Sequence, residues 1–400
     1  YPRGGDDGYV AKYNADGELQ WTNTFGGASQ DTAVDIKLDN EGNIIVLGKI
    51  VKTATFSDGE ELGDPNAAAN RYYIVVLKLN GDTGEIIWKN YTGYSTGSSG
   101  YTHALLAIRS DNKIVCVTSN GTWWDESGLS ILEIDNLSGS HELVGSFLGI
   151  DQYMHNLETH NNNLYVIANR YNGSFAGGEL RKYNANYEQE WVISLDGTDS
   201  YFYDVQYDPI NNLFYTTGRG KGGNLNPLGE ESIPNYTDSN GDFFAAYNDQ
   251  GILQFFHLFA ITSVDKAYDV GLDLMENRLL ITGSMAGYPD VDVTDDQFYP
   301  SQNYPDNGGR FISIYETENG LELNGQYFLR GDQTASAIER QTYLKGNNLI
   351  TAGTDAFYGQ QFYDYDHSAL VTLANIPHRN DGSFSWKYDG IISYLSLIHI

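Results

Sequence analysis

The sequence predicts an all-β fold, a seven-bladed β-propeller of four-stranded antiparallel blades with the last blade incomplete. Three observations predict it. First, one segment recurs along the chain: DTAVDIKLDNEGNIIVLG at 31–48, DSYFYDVQYDPINNLFYTTG at 199–218, DKAYDVGLDLMENRLLITG at 265–283 and DQTASAIERQTYLKGNNLITAG at 332–353. Each copy is an acidic residue, an apolar alternation, a polar turn and a second apolar run ending near Gly, and a repeat of this kind defines the architecture. Second, a different half-unit lies between the copies: YVAKYNADGELQWTNTFG (9–26), YYIVVLKLNGDTGEIIWKNYTG (72–93), ELRKYNANYEQEWVISLDG (179–197), FFAAYNDQGILQFFHLF (243–259) and ALVTLANIPHRNDGSFSWKYDG (369–390). Its period-2 alternation, bounded by Gly, Asn and Asp, marks short half-buried strands. Third, no stretch combines helical periodicity with caps.

With the four strands called A to D from the innermost outward, the A strands begin near Thr32, Thr102, Gln152, Tyr201, Ala267 and Thr334. Residues 1–390 then form one propeller domain. An orphan C–D half-blade at 8–26 precedes blades at about 31–93, 100–149, 151–197, 199–259, 265–329 and 332–390. A ring that closes by pairing its first strands with its last would leave such an orphan, its A–B half following Gly390; eight blades is the alternative. Residues 391–400, ending LSLIHI, carry neither the alternation nor the turn residues and read as a non-native tail. With Tyr1 at the other end, the chain is expected to be part of a larger multidomain protein.

Composition narrows the partners. A chain of this length buries roughly three quarters of its unfolded surface, ample for a core. With 53 Asp+Glu against 23 Lys+Arg the net charge is −30, which disfavours nucleic acid and anionic membranes. No apolar run is long enough for membrane insertion. The one cysteine, Cys116, lies in the apolar run KIVCV and reads as a buried strand residue. Abundant Tyr and Asn with little Lys fit an extracellular or cell-surface location.

The block GYVAKYNADGELQWTNTFGGASQDTAVDIKLDNEGNIIVLGKI (8–50) resembles the bacterial β-propeller repeat known as SBBP, as does the linked segment ATFSDGEEL…YYIVVLKLNGDTGEIIW within 54–88. The resemblance implies a secreted or surface-attached propeller and carries no catalytic residues. Locally, Asp82-Thr-Gly-Glu-Ile-Ile-Trp88 is similar to the tryptophan-docking turn of quinoprotein-like propellers, which implies that Trp88 packs on the neighbouring blade. The adjacent disulfide-bonded cysteines frequent in those quinone enzymes have no counterpart here.

Candidate sites follow from loops. Asp31, Asp151, Asp199, Asp265 and Asp332 each precede an A strand, and their loops would crowd one mouth of a channel. Converging carboxylates there could hold a hard cation such as calcium; alternatively each caps its own turn by accepting backbone N–H bonds. The long B–C insertions 51–70, 220–240, 285–308 and 354–366 belong to the same face. They supply Tyr288, Asp290, Asp292, Tyr299, Tyr304, Tyr363 and Asp364 as candidate ligand contacts, against the alternative of plain solvated loop. Trp123 and Trp124 form either a sugar-stacking platform or an inter-blade plug. No histidine spacing for zinc, G-x-S-x-G elbow or phosphate loop is present. No organic cofactor is expected. The composite expectation is a non-enzymatic scaffold that binds a glycan or protein through one mouth. The rivals are a propeller-type glycan hydrolase or lyase using mouth carboxylates, and a purely structural repeat of an adhesin.

Overall fold

In the computed structural model every element among the described residues is a β-strand. The structure describes residues 6–14, 18–66, 72–95, 104–119, 129–147, 152–171, 175–196, 200–220, 225, 241–259, 266–275, 277–286, 291–294, 309–330, 341–345, 348–355, 361–363, 369–372 and 389–396. The chain divides into two units, 1–192 and 193–400.

The first unit opens with the hairpin β1 (Gly8–Tyr13) and β2 (Leu19–Gly26). Next come β3 (Thr32–Leu38), β4 (Ile44–Val51), β5 (Thr53–Phe56), β6 (Glu61–Gly63), β7 (Tyr72–Leu79) and β8 (Ile86–Ser95). They are followed by β9 (Ala104–Ile108), β10 (Ile114–Ser119), β11 (Leu129–Ile134) and β12 (His141–Phe147). The last sheet comprises β13 (Gln152–His160), β14 (Asn163–Tyr171), β15 (Phe175–Tyr183) and β16 (Gln189–Asp196), the division between units falling inside β16. Sheets of order β3-β4-β7-β8, β9 to β12 and β13 to β16 are antiparallel meanders of four strands. The second unit holds β17 (Tyr201–Asp208), β18 (Leu213–Gly220), β19 (Gly241–Asn248) and β20 (Leu253–Leu258) in one such sheet. A second contains β21 (Lys266–Met275), β22 (Arg278–Ala286), β23 (Gly309–Glu316) and β24 (Glu322–Arg330). The fold is therefore all-β and of the propeller class expected from the repeat.

The burial pattern explains why these residues form such sheets. The middle strands are apolar on both faces: Ile45, Val46 and Leu47 of β4, like Val75, Val76 and Leu77 of β7, are fully buried. Strand β3, at the edge, alternates between exposed and half-buried positions. A strand covered on both sides reads as a continuous β-branched run, whereas an edge strand alternates. Successive sheets pack face to face: Ile45, Leu47, Ile74 and Val76 share one cluster with Leu106, Ile114, Cys116 and Ile134. In the second unit Tyr215 and Phe244 pack with Val270, Leu279, Ile281 and Phe311.

Tryptophans lock neighbouring sheets as the Asp82–Trp88 motif implied. The Trp88 ring covers Gly139, where an added Cβ would lie 2.6 Å from the indole, and Trp21 covers Gly84 in the same way, at 2.5 Å. Both glycines have positive φ, +70° and +72°, so these turns need a residue without a side chain for two reasons at once. Trp88 Nε1–H donates to the Asn136 carbonyl at 3.0 Å, and the amides of Asn23 and Asn90 donate to the carbonyls of Gly84 and Gly139. The full motif occurs once in the sequence, yet among the described residues the packing is made twice.

The insertion at 51–70 departs from the loop expected. Its strands β5 and β6 extend the β1–β2 hairpin to the order β1-β2-β5-β6, through Phe25↔Phe56 and Gly26↔Thr55. The Phe25 and Phe56 rings stack at 5.6 Å. On its other side the same hairpin is held by Lys89 of β8, whose ammonium pairs with Asp58 and with Glu60 at 2.7 Å. The second unit repeats the device: β27 (Gln361–Tyr363) pairs with β24 through Phe328↔Tyr363 and Leu329↔Phe362, and β28 (Ala369–Thr372) pairs with β27. An open outer strand is thus covered by a strand from the following repeat.

Consequently Ala369–Thr372 is not the third strand of the last sheet. That sheet has the order β25 (Gln341–Lys345), β26 (Asn348–Asp355), β29 (Asp389–Ser396), with β29 paired to β26 from Asn348↔Ser396 to Asp355↔Asp389. The tail set aside on sequence grounds supplies the ladder: its Ile, Tyr and Leu have the β propensity to fill a free edge.

Candidate functional site

Of the five aspartates expected at one mouth, Asp31 is described and Asp151, Asp199, Asp265 and Asp332 lie outside the described residues. Asp31 is 1% exposed. Its Oδ2 accepts the Gly27 N–H at 2.6 Å and its Oδ1 the Val51 N–H at 2.8 Å. It ties the turn before β3 to the end of β4, the capping arrangement that was the alternative to a cation site. Burial raises its pKa against the two amide bonds. Other acids serve similarly. Asp35 spans the Ile36 and Leu106 N–H groups, and Asp204 spans those of Val205 and Leu272, joining neighbouring inner strands. Among the described residues no three His, Cys, Asp or Glu side chains gather as a metal would require.

Of the insertion candidates, Trp123, Trp124, Tyr288, Asp290, Tyr299, Tyr304 and Asp364 lie outside the described residues. The Tyr363 backbone pairs with Phe328 and Ala369. Asp292 sits between buried Val291 and Val293. The Val291 carbonyl accepts from Ser313 Oγ at 2.9 Å and Tyr315 Oη at 3.1 Å, and the Val293 N–H donates to Tyr315 Oη at 3.0 Å. Tyr315 is the penultimate residue of β23, about 20 Å along the strand from its start at Gly309. Asp292 is therefore carried down the sheet, away from the end where the insertion leaves β22. There its Oδ1 accepts from the Thr294 N–H and hydroxyl at 2.9 and 2.7 Å. Tyr247, also buried, grips the insertion at 221–240 likewise, its hydroxyl donating to the Leu225 carbonyl at 2.7 Å.

A polar group that sequence reading missed stands at the insertion-bearing end of the β17–β20 sheet. Tyr201 and Tyr203 from β17, Arg219 from β18 and Asp242 from β19 converge there. Arg219 Nε lies 3.8 Å from Asp242 Oδ1, and Tyr203 Oη lies 3.3 Å from Asp242 Oδ2 and 3.5 Å from Tyr201 Oη. The two tyrosine rings meet edge to face at 5.0 Å. Asp242 is 1% exposed, whereas Arg219 and both tyrosines are half-buried and reach solvent. Burial first, then the charge of Asp242, pushes the Tyr203 hydroxyl well above the ordinary phenol range, so it stays protonated and donates. Such a group can hydrogen-bond hydroxyl or carboxylate oxygens; its tyrosine is no base at neutral pH.

The corresponding place in the first unit also carries a cation. Lys49 follows Gly48 as Arg219 follows Gly218, both where strand B meets its insertion, and its ammonium lies 3.8 Å from the centre of the Tyr72 ring. Burial lowers its pKa. The signal available was Gly-Lys and Gly-Arg at the ends of two repeated B strands, in a chain with only 23 basic residues.

No family model matches the chain, and no curated protein matches it. Solved structures similar to it include a periplasmic gluconolactonase from Pseudomonas aeruginosa, 10% identical over 98% of this chain and 99% of that one, at a TM-score of 0.48. An oligogalacturonate lyase from Vibrio parahaemolyticus is 11% identical over 92% and 85%, at 0.43. The Kuenenia stuttgartiensis hydrazine synthase is 11% identical over 74% of each chain, at 0.41. At such values these likenesses assign no activity to the chain.

Proposed function

We propose that this chain is a secreted or cell-surface binding scaffold without catalytic activity, recognising a glycan or a protein surface at the insertion-bearing ends of its sheets. The observation that carries the reading is the group Tyr201, Tyr203, Arg219 and Asp242 at the root of the 221–240 insertion. Its tyrosines and guanidinium, half-buried but reaching solvent, offer flat apolar area and hydrogen-bond donors together, the combination that suits sugar hydroxyls and polar protein surfaces. Four carboxylates among the described residues support it from the other side. Asp31, Asp35 and Asp204 bind backbone N–H groups, and Asp292 its own turn, which engages them in architecture.

The test is a glycan and protein array probed with the purified chain, followed by affinities for Tyr203→Phe and Arg219→Met on the best ligand. Binding that weakens about tenfold or more in either variant, with the ligand recovered unaltered by mass spectrometry, supports the reading. Cleavage of the ligand overturns it in favour of a hydrolase or lyase. Absence of any ligand, or unchanged affinity in both variants, also overturns it and leaves an architectural repeat.

A further inference from the structure

Two consecutive sheets of the first unit carry the same buried ion pair with its charges exchanged. In the β3-β4-β7-β8 sheet the acid is Asp39, in the A–B turn, and the base is Lys78 of β7, with Nζ to Oδ2 at 2.8 Å. Their side chains are 0% and 4% exposed. In the β9–β12 sheet the same turn position holds Arg109 and the same place on the third strand holds Glu133. The correspondence is fixed by register: the Asp39 N–H donates to the Asn43 carbonyl as the Arg109 N–H does to that of Lys113, and Lys78 pairs with Ile45 as Glu133 does with Val115. Arg109 and Glu133 lie 3.5 Å apart, again largely buried.

Each pair is completed by the C–D turn of the next sheet, and the two turns differ to match. Asn136 donates through Nδ2 to Asp39 and accepts from Lys78 through Oδ1 at 2.9 Å and its carbonyl at 3.2 Å. A side-chain amide serves the acid and the base at once because it carries separate donor and acceptor atoms. For Arg109 the next turn supplies the Ala185 carbonyl at 3.1 Å and the Tyr187 hydroxyl at 2.8 Å, beside Asp111 Oδ2 of its own turn at 3.0 Å, and the Tyr187 hydroxyl in turn donates to Glu133. The Tyr187 ring also stacks beside the guanidinium, 5.3 Å from its centre.

We propose that this exchange of charge is a code for neighbour identity: each sheet accepts only the following sheet's turn, which suppresses docking of similar sheets in the wrong order between copies of the chain. The sheets share strand order, the register of the A–B turn and apolar faces, so the apolar surface alone discriminates poorly. Placed against the turn at 184–188, Lys78 would meet Ala185 in place of Asn136, and Asp39 would keep the Asn43 amide of its own turn but lose that of Asn136. Placed against the turn at 135–140, Arg109 would find no tyrosine. A buried charge short of partners is strongly disfavoured, whereas a correctly met pair is close to neutral against an apolar one.

The test is refolding from urea at several protein concentrations, read by light scattering on the eluted species. The double variant Asp39→Asn/Lys78→Met removes both charges while leaving a side-chain oxygen at position 39 to accept the Glu41 and Asn43 N–H groups. The control Val46→Ala lowers stability in the adjacent core without touching the pair. The double variant should melt near the wild type but form several-fold more oligomer, rising with concentration, while Val46→Ala melts lower and refolds to monomer. Equal monomer recovery for the double variant and the wild type would overturn the proposal. So would oligomers from Val46→Ala as abundant as those of the double variant, since instability alone would then explain them.

Discussion

Replacing Gly139 with alanine should cost the 1–192 unit about 2–4 kcal/mol, and the cost should depend on Trp88. Two parts make up the figure. Gly139 has φ +70°, and holding an L-residue in that region costs about 1–2 kcal/mol. The new Cβ would lie 2.6 and 2.8 Å from two indole carbons, where about 3.5 Å is the near limit of comfortable contact. The ring must retreat by nearly 1 Å, which forfeits about a quarter to a half of its contact energy there and strains the Trp88–Asn136 hydrogen bond, worth about 1 kcal/mol. For a unit of this size the melting temperature should fall by about 5–15 °C. Urea unfolding followed by circular dichroism, on Gly139→Ala, Trp88→Ala and the pair, separates the parts. With the indole gone, only the backbone part should remain, giving a coupling of about 1–2 kcal/mol. A Gly139→Ala variant as stable as the wild type, or strictly additive effects, would refute the docking argument.

Three further outcomes are expected. Burial opposes ionisation of Asp39, but hydrogen bonds from Lys78, Asn43 and Glu41 outweigh it and hold the carboxyl at about 2. Because the folded pKa is depressed, its contribution is present above about pH 4 and lost as pH falls from 4 to 2. About 2 kcal/mol should disappear there in acid titrations of unfolding, and Lys78→Met should abolish most of that dependence. Cys116 is fully buried and desolvation pushes its thiol far up, so a thiol reagent should leave the native protein untouched and modify one group per chain in urea. Finally, Lys89→Met should speed proteolysis in the turn at 57–60 while lowering stability by no more than about 1 kcal/mol, since Glu60 is largely solvated. Unchanged cleavage would mean that the β2–β5 ladder alone holds the hairpin.

The strands were legible because alternation and turn chemistry are local. DTAVDIKLDNEGNIIVLG contains both faces of β3, the turn at Asp39 and the apolar run of β4 within 18 residues. The docking of Trp88 was legible from its turn motif, but that of Trp21 was not, because the segment before it, Asp16-Gly-Glu-Leu-Gln-Trp21, lacks the Thr-Gly of that motif. The hairpin β5–β6 was hidden for a related reason. Three- and four-residue strands carry too little pattern, and the edge they join belongs to β2, an element closed before the insertion begins. The group at Tyr201, Tyr203, Arg219 and Asp242 is scattered over 42 residues and shares no spacing, so only the register Tyr201↔Arg219↔Asp242 assembles it.

By itself, then, the sequence determined the repeat, the strand class and the strongly acidic composition, all of which depend on near neighbours or on residue counts. The tertiary structure decided which edges are covered, whether an aspartate caps a turn or faces solvent, and which turn completes each buried ion pair. Those outcomes depend on groups far apart in the chain that meet only when one sheet packs on the next. Inside that contact a missing hydrogen-bond partner cannot be replaced by water.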